Sequence, residues 1–255
     1  MLIYSDLYNK IYETETSMYS ILVCDTSPDV CECLVKQLGN FSNSVGTVCG
    51  PLATLLTRLQ PCEKVAIVSP GNSFGFLGGG FDLAICEQLG GAPFEAWFRA
   101  QLPGLYQPVG SCNVVDLTKG PYAHRNVRYI VHVPTVVTPM MDVWEGSRLA
   151  FDGMWNVLER CPRDVDVVVV PGLATGYGGV PVEVSCKSMA FALIVHQLDV
   201  SEELRILLVM YYLGCGYDGF FSKNCRKECE EVGIDLKALK NFDARYDSIK
   251  SILPK

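Results

Sequence analysis

Histidine is scarce in this chain, long apolar runs are missing, and lysines and arginines never gather into a block. Each shortage removes a class of function. A protein that grips a nucleic-acid backbone displaces counterions through clustered basic side chains. Here 21 Lys and Arg stand against 28 Asp and Glu, giving a net charge of −7 and a sequence pI of about 5.0, so nucleic acid is not expected as a partner. Apolar runs such as Asp166–Val170 and Ile206–Leu213 are short and bounded by charges or turn residues. None reaches the ~18–20 residues of a membrane span, so no membrane role is expected. Met1–Met18 lacks a basic region followed by an apolar one and does not read as a secretory signal, which points to an intracellular compartment. Only three histidines are present, and none lies close in sequence to the cysteine pairs Cys31/Cys33 and Cys225/Cys229. The twelve cysteines therefore read as reduced, mostly buried thiols, and neither a metal nor any other cofactor is expected.

What the chain does have is core material. Of 255 residues, 49% are hydrophobic and 19% charged, with a mean hydropathy of +0.21. Short continuous apolar runs are what strands of a buried parallel sheet look like. Strands are expected at Ser20–Asp25, Val45–Cys49, Lys64–Ser69, Val109–Leu117, Val127–Val133, Asp166–Val170 and Arg205–Leu213. Helices are expected at Asp29–Leu38 (capped through Thr26-Ser27-Pro28), Leu52–Leu59, Phe81–Leu89, Ala92–Leu102, Arg148–Glu159 and Pro181–Leu198, with further helical segments near Lys223–Val232 and Asp243–Leu253. The alternation implies a mixed, mostly parallel sheet with helices on both faces. With no repeat, low-complexity tract or linker, one domain of 1–255 is expected, its core about 20–253 behind an N-terminal extension of 1–19. Trp97, Trp144 and Trp155 read as core or rim.

Two glycine-rich loops each run from an apolar strand to a helix, the place where open α/β sheets bind ligands. The first, Val68–Asp82, carries Gly78, Gly79 and Gly80 in a row, which allow close backbone approach, and Asn72 and Asp82 as flanking polar groups. The second, Val170–Pro181, carries Gly176, Gly178 and Gly179, with Thr175 as a hydroxyl donor. Tyr177 there suits stacking on a sugar or, equally, a place in the core. Backbone amides at such loops and helix N-termini hold phosphate without basic residues. No Gly-Lys-Ser/Thr follows the first loop, and its glycines have the wrong spacing for G-x-G-x-x-G, so neither a P-loop nor a Rossmann dinucleotide site is indicated.

Pro70-Gly-Asn-Ser followed by Gly78-Gly-Gly-Phe-Asp82 resembles the Asn-Ala-Ala-Asn…Gly-Gly-Gly-Val-Asp block of macro domains, and Pro171–Gly178 resembles their second loop. Tyr129–Pro134 is similar to the family's Val-Ile-His strand. Stretches Ile67–Phe81, Tyr129–Val137, Pro171–Tyr177 and Ser185–Leu193 resemble the fungal branch described as ADP-ribose 1''-phosphate phosphatases. The resemblance implies a three-layer α/β/α sandwich around a sheet of six or seven strands, with ADP-ribose in a cleft at the strand ends. It implies an enzyme of tRNA-splicing metabolism whose partners are small ADP-ribose derivatives; a monomer is expected, and metal independence too, because no cluster of carboxylates or histidines has ligand spacing. The alternatives are a hydrolase acting on ADP-ribosylated proteins or O-acetyl-ADP-ribose, and a non-catalytic ADP-ribose binder.

Carried over by position, the resemblance makes Asn72, Asp82 and His132 catalytic. It makes Gly71, Gly78, Gly79, Gly80 and Phe81 of the first loop and Leu173, Ala174, Thr175, Gly176, Tyr177 and Gly178 of the second ligand-binding. Asp82 suits a base acting on water or a carboxylate at a helix N-terminus; His132 suits a proton carrier or a hydrogen-bonded core residue. The sequence departs from the family at two places. Gly50-Pro51-Leu52 stands where an adenine-reading aspartate is usual, leaving Asp25 as its substitute, and Ser69 stands where the first asparagine is usual.

Overall fold

The computed structural model describes residues 19–60, 62–139 and 147–254. The N-terminal extension before Tyr19 and Trp144 lie outside them. The chain divides into two compact units, Met1–Met189 and Ala190–Lys255.

In the first unit, strands β1 (Ser20–Asp25), β2 (Val45–Cys49), β3 (Val65–Ser69), β4 (Asn113–Asp116), β5 (Val127–His132) and β6 (Val167–Val170) form one sheet in the order β2-β1-β6-β3-β5-β4. All neighbours run parallel except the β4–β5 pair. The helices between them are α1 (Pro28–Leu38), α2 (Leu52–Arg58), α3 (Gly80–Leu89), α4 (Ala92–Gln101) and α5 (Ser147–Arg160), and α6 (Val182–Gln197) follows β6. Pairing aligns Leu22, Val169, Ile67, Ile130 and Val115 in a row across five strands. That row is buried with Leu55 of α2, Ile85 of α3, and Phe94 and Phe98 of α4. The alternate residues Ile21, Val23, Ala66, Val68, Val168 and Val170 are buried too. Both faces are covered, which is why these strands read as unbroken apolar runs rather than alternating ones.

The unit boundary falls within α6. The second unit contains α7 (Glu202–Tyr212), α8 (Lys223–Glu231) and α9 (Leu236–Lys240). Here the structure corrects the sequence reading: Arg205–Leu213 is helical, not a seventh strand. An apolar run of eight residues is ambiguous by periodicity. What decides it is the spacing of the buried residues Leu204, Leu207, Leu208 and Tyr212, together with a Ser201 cap whose Oγ accepts the Leu204 N–H at 3.1 Å and two acids in the first turn. Tyr212 stacks on Phe191 at 3.9 Å between ring centroids. Asp243–Leu253 is not a regular helix; it contains one 3-10 turn, Ile249–Ser251. The expected strand Val109–Leu117 shortens to β4, because Gly110 and Ser111 turn back toward Pro134 and Pro108. The Ser27 hydroxyl makes no capping bond to α1; the Asp25 carboxylate instead accepts the Ser27 N–H at 2.8 Å.

If α7 depends on its cap, Ser201→Ala should lower stability by about 1 kcal/mol. The urea midpoint reads this, and an unchanged midpoint would count against the cap.

Candidate active site

Strands β1, β6, β3 and β5 are consecutive in the sheet and parallel, so the segments following them converge at one edge. They enclose a cleft of about 790 Å³. Its walls are the end of β1 with the start of α2, the two glycine loops, and the Thr135–Pro139 segment after β5. The stretch Tyr129–Val137 resembles the family, but no site residue was expected in this last wall. The wall exists because β3 and β5 continue pairing beyond the sheet. Val133 N–H donates to Ser69 O, Thr135 N–H to Gly71 O and Ser73 N–H to Val136 O, at 2.8–2.9 Å, and Thr135 Oγ1 donates to Pro70 O at 2.7 Å.

The first loop is held by its own side chains and by α4. Asn72 Nδ2 donates to Phe76 O at 2.7 Å, and its Oδ1 accepts the Phe74 and Phe76 N–H groups. Glu95 accepts the Leu77 N–H at 2.6 Å, Arg99 Nε donates to Phe74 O at 3.0 Å, and the Arg99 guanidinium lies 3.6 Å from the Phe76 ring centroid. Both acceptor positions of Asn72 are thereby used, leaving one amide N–H for a ligand. Gly80, at φ +55, starts α3 in a conformation that other residues rarely take.

Beneath this loop sits a buried polar chain. Ser69 Oγ donates to Asp82 Oδ1 at 2.8 Å and lies 3.1 Å from His132 Nδ1. Ser69 and His132 are paired in adjacent strands, and strand alternation puts them on the same face as Ile67, toward α3 and α4. Burial pushes the Asp82 carboxyl up to about 7, and the Ser69 hydrogen bond opposes this. Burial lowers His132 to about 4, opposed by a hydrogen bond to the Asn72 backbone, while among the described residues Nε2 has no hydrogen-bond partner of good geometry. The Phe98 ring meets the imidazole edge-on at 5.6 Å.

In the second loop, Ala174 takes a left-handed φ of 61, a strained conformation for a residue with a Cβ. Its carbonyl accepts the Val180 N–H at 3.0 Å, and a Cβ on Gly178 would lie 2.7 Å from that oxygen. Tyr177 is 62% exposed and reaches across to the first loop, where a Cβ on Gly79 would approach its ring at 3.0 Å. Asp25 bridges the end of β1 to this loop, accepting Ser27 N–H on Oδ1 and Gly172 N–H on Oδ2 at 3.0 Å.

Against known families, residues 8–255 match the macro-like domain. The chain belongs to the macro-like domain family. An uncharacterized protein of Aquifex aeolicus (strain VF5) is 35% identical over 129 residues, covering 48% of this chain and 68% of that protein. Among solved structures, a macrodomain of Oceanobacillus iheyensis with MES bound is 20% identical at a TM-score of 0.41, over 55% of this chain and 74% of that one.

Within this macro-like domain, Asp25, Gly71, Asn72, Gly78–Gly80, Phe81, Asp82, Ala174, Thr175, Gly176, Tyr177 and Gly178 all line the cleft. Leu173 and His132 do not. Both are 0% exposed: Leu173 points into the core beside Gly153, and His132 lies under Asn72 against Phe98. Phe74 and Phe76 also line the cleft and were missed. Their place within the Asn72 turn was the available signal.

The Asp82 shift carries a sign. Its folded-state pKa lies above the usual 3.8, so the stability it contributes is complete below about pH 4 and is lost as pH rises through about 7. His132 acts oppositely, its contribution present above about 6.5 and lost as pH falls toward 4. Replacing Asp82 with asparagine removes only the first slope. Asp82→Asn should therefore gain stability over the parent progressively from pH 4 to 7 and hold that gain above, up to about 4 kcal/mol. Urea unfolding across pH 4–9 measures it; a pH-independent difference would mean that Asp82 titrates normally.

Proposed function

We propose that this macro-like domain is a metal-independent hydrolase of ADP-ribose derivatives, and that its substrate is ADP-ribose 1''-phosphate, cleaved to ADP-ribose and phosphate. The observation that carries the reading is Asp82: a carboxyl on the cleft wall, in the first turn of α3, with a pKa raised to about 7. A general base works best when its pKa lies near the operating pH. Asp82 takes a proton from water, the water oxygen bonds to phosphorus, and the phosphorus–oxygen bond to the distal ribose breaks. The proton passes to the leaving ribose oxygen. Amides of the two glycine loops and the N-terminus of α3 hold the phosphates, and the free N–H of Asn72 meets the distal ribose. The adenine lies at the Asp25 end, where Pro51 and Leu52 give an apolar wall.

Two results test this. Free ADP-ribose at one hundred times its dissociation constant should add about 2.7 kcal/mol of apparent stability, and calorimetry showing no saturation up to millimolar ligand removes the reading. The purified protein should release phosphate from ADP-ribose 1''-phosphate in EDTA as fast as without it, and Asp82→Asn should lower kcat by ~10²–10⁴-fold at nearly constant affinity. Release of ADP-ribose from a modified protein instead would move the activity to the ADP-ribosyl hydrolases, and binding without turnover would make the domain a reader.

A further inference from the structure

The sequence reading gave Ser69 no role, yet it stands at the centre of the buried chain beneath the cleft. Its hydroxyl has one proton, and that proton is donated to Asp82 Oδ1. His132 Nδ1 lies 3.1 Å from the same oxygen, and with the serine proton on the Asp82 bond that contact is made by an imidazole carrying its proton on Nδ1. With Asp82 ionised and the imidazole proton on Nδ1, the chain runs from His132 to Ser69 to Asp82. The geometry around Gly71 fixes the rest. A Cβ there would lie 2.7 Å from Asp82 Oδ2 and 2.9 Å from His132 Cε1, so the carboxyl and imidazole are clamped against bare backbone. All three side chains are almost fully enclosed, with Ser69 and His132 at 0% and Asp82 at 7% exposure.

We infer that Ser69 is a positioning residue for Asp82: its hydroxyl, aimed by the Nδ1–H of His132, holds Oδ1 and leaves Oδ2 to act at the cleft. The inference rests on Asp82 being the base of the proposed reaction. It gives His132 a part in turnover although its ring does not line the cleft. Among the described residues, Ser69 is the side chain that donates to this carboxylate, and its bond favours the ionised form that a base requires. Other titratable groups nearby are His132 on β5, Cys86 on α3 itself, and Glu95 on α4, which is engaged with Leu77. Burial raises the Cys86 thiol and lowers His132, so both stay neutral through the range in which Asp82 titrates.

Ser69→Ala and the parent are compared by carbon-13 NMR titration of the Asp82 carboxyl, by the pH–rate profile of phosphate release, and by calorimetric ADP-ribose affinity. In Ser69→Ala the carboxyl titration should move up by about one unit. The acid limb of kcat should move with it, so turnover falls about tenfold at pH 6 and returns to within about twofold of the parent at pH 9. Affinity should change by less than about twofold, because ground-state binding does not use this bond. A carboxyl titration and acid limb that stay in place overturn the inference. A parent that releases no phosphate defeats the phosphatase reading alone, since the carboxyl titration still decides Ser69. Should Ser69→Ala fail to fold, His132→Leu leaves the serine hydroxyl without its donor and should move the same titration upward by a smaller amount; no movement there overturns the inference equally.

Discussion

A Cβ on Gly71 would lie 2.7 Å from Asp82 Oδ2, so no side chain fits at that position, and the cleft is organised around that closeness. Because Gly71 carries no side chain, the strand leading out of the sheet passes directly over the carboxyl and imidazole, and its carbonyl still pairs with Thr135. A larger residue would push the strand away, break the extended pairing of β3 with β5, and open the buried chain to water. Exclusion of water is what raises the Asp82 pKa toward neutrality. Loop geometry and the raised Asp82 pKa thus follow from one steric constraint.

The polar side chains of the site spend much of their hydrogen-bonding capacity on the protein itself. Asn72 closes its own turn and Asp25 ties the β1 end to the second loop. Glu95 and Arg99 anchor the first loop from α4. Such loops are set before a ligand arrives, so fewer groups must be ordered on binding. The glycines divide the remaining work. Gly80 supplies a left-handed turn and Gly178 a close approach to Ala174, while Gly78 and Gly176 would present a Cβ to open space. The last two are where backbone amides can meet a ligand unobstructed.

Sequence reasoning erred where local pattern and tertiary context disagree. Ile206–Leu213 is as apolar as a strand, and only the burial of every third or fourth residue shows it to be a helix. Thr135–Val137 lay in a stretch that resembles the family, but its place as a wall of the cleft was not foreseen, because pairing with Gly71–Ser73 is non-local. Asp82 and the glycine loops were legible because they follow strands at fixed offsets, and a strand–loop–helix junction in a parallel sheet dictates where they emerge.

The sequence by itself determined the strand–helix alternation of the first unit, the two glycine loops, and the carboxylate at the start of α3, because periodicity, glycine and capping act over a few residues. Only the tertiary structure decided that Ser69, Asp82 and His132 form one chain. These residues come from β3, α3 and β5, up to 63 positions apart. Their meeting depends on strand register and on the packing of α3 and α4 over the sheet, which no local pattern encodes. The same burial separated two residues that looked alike in sequence: Asp82 reaches the cleft, and His132 stays beneath it.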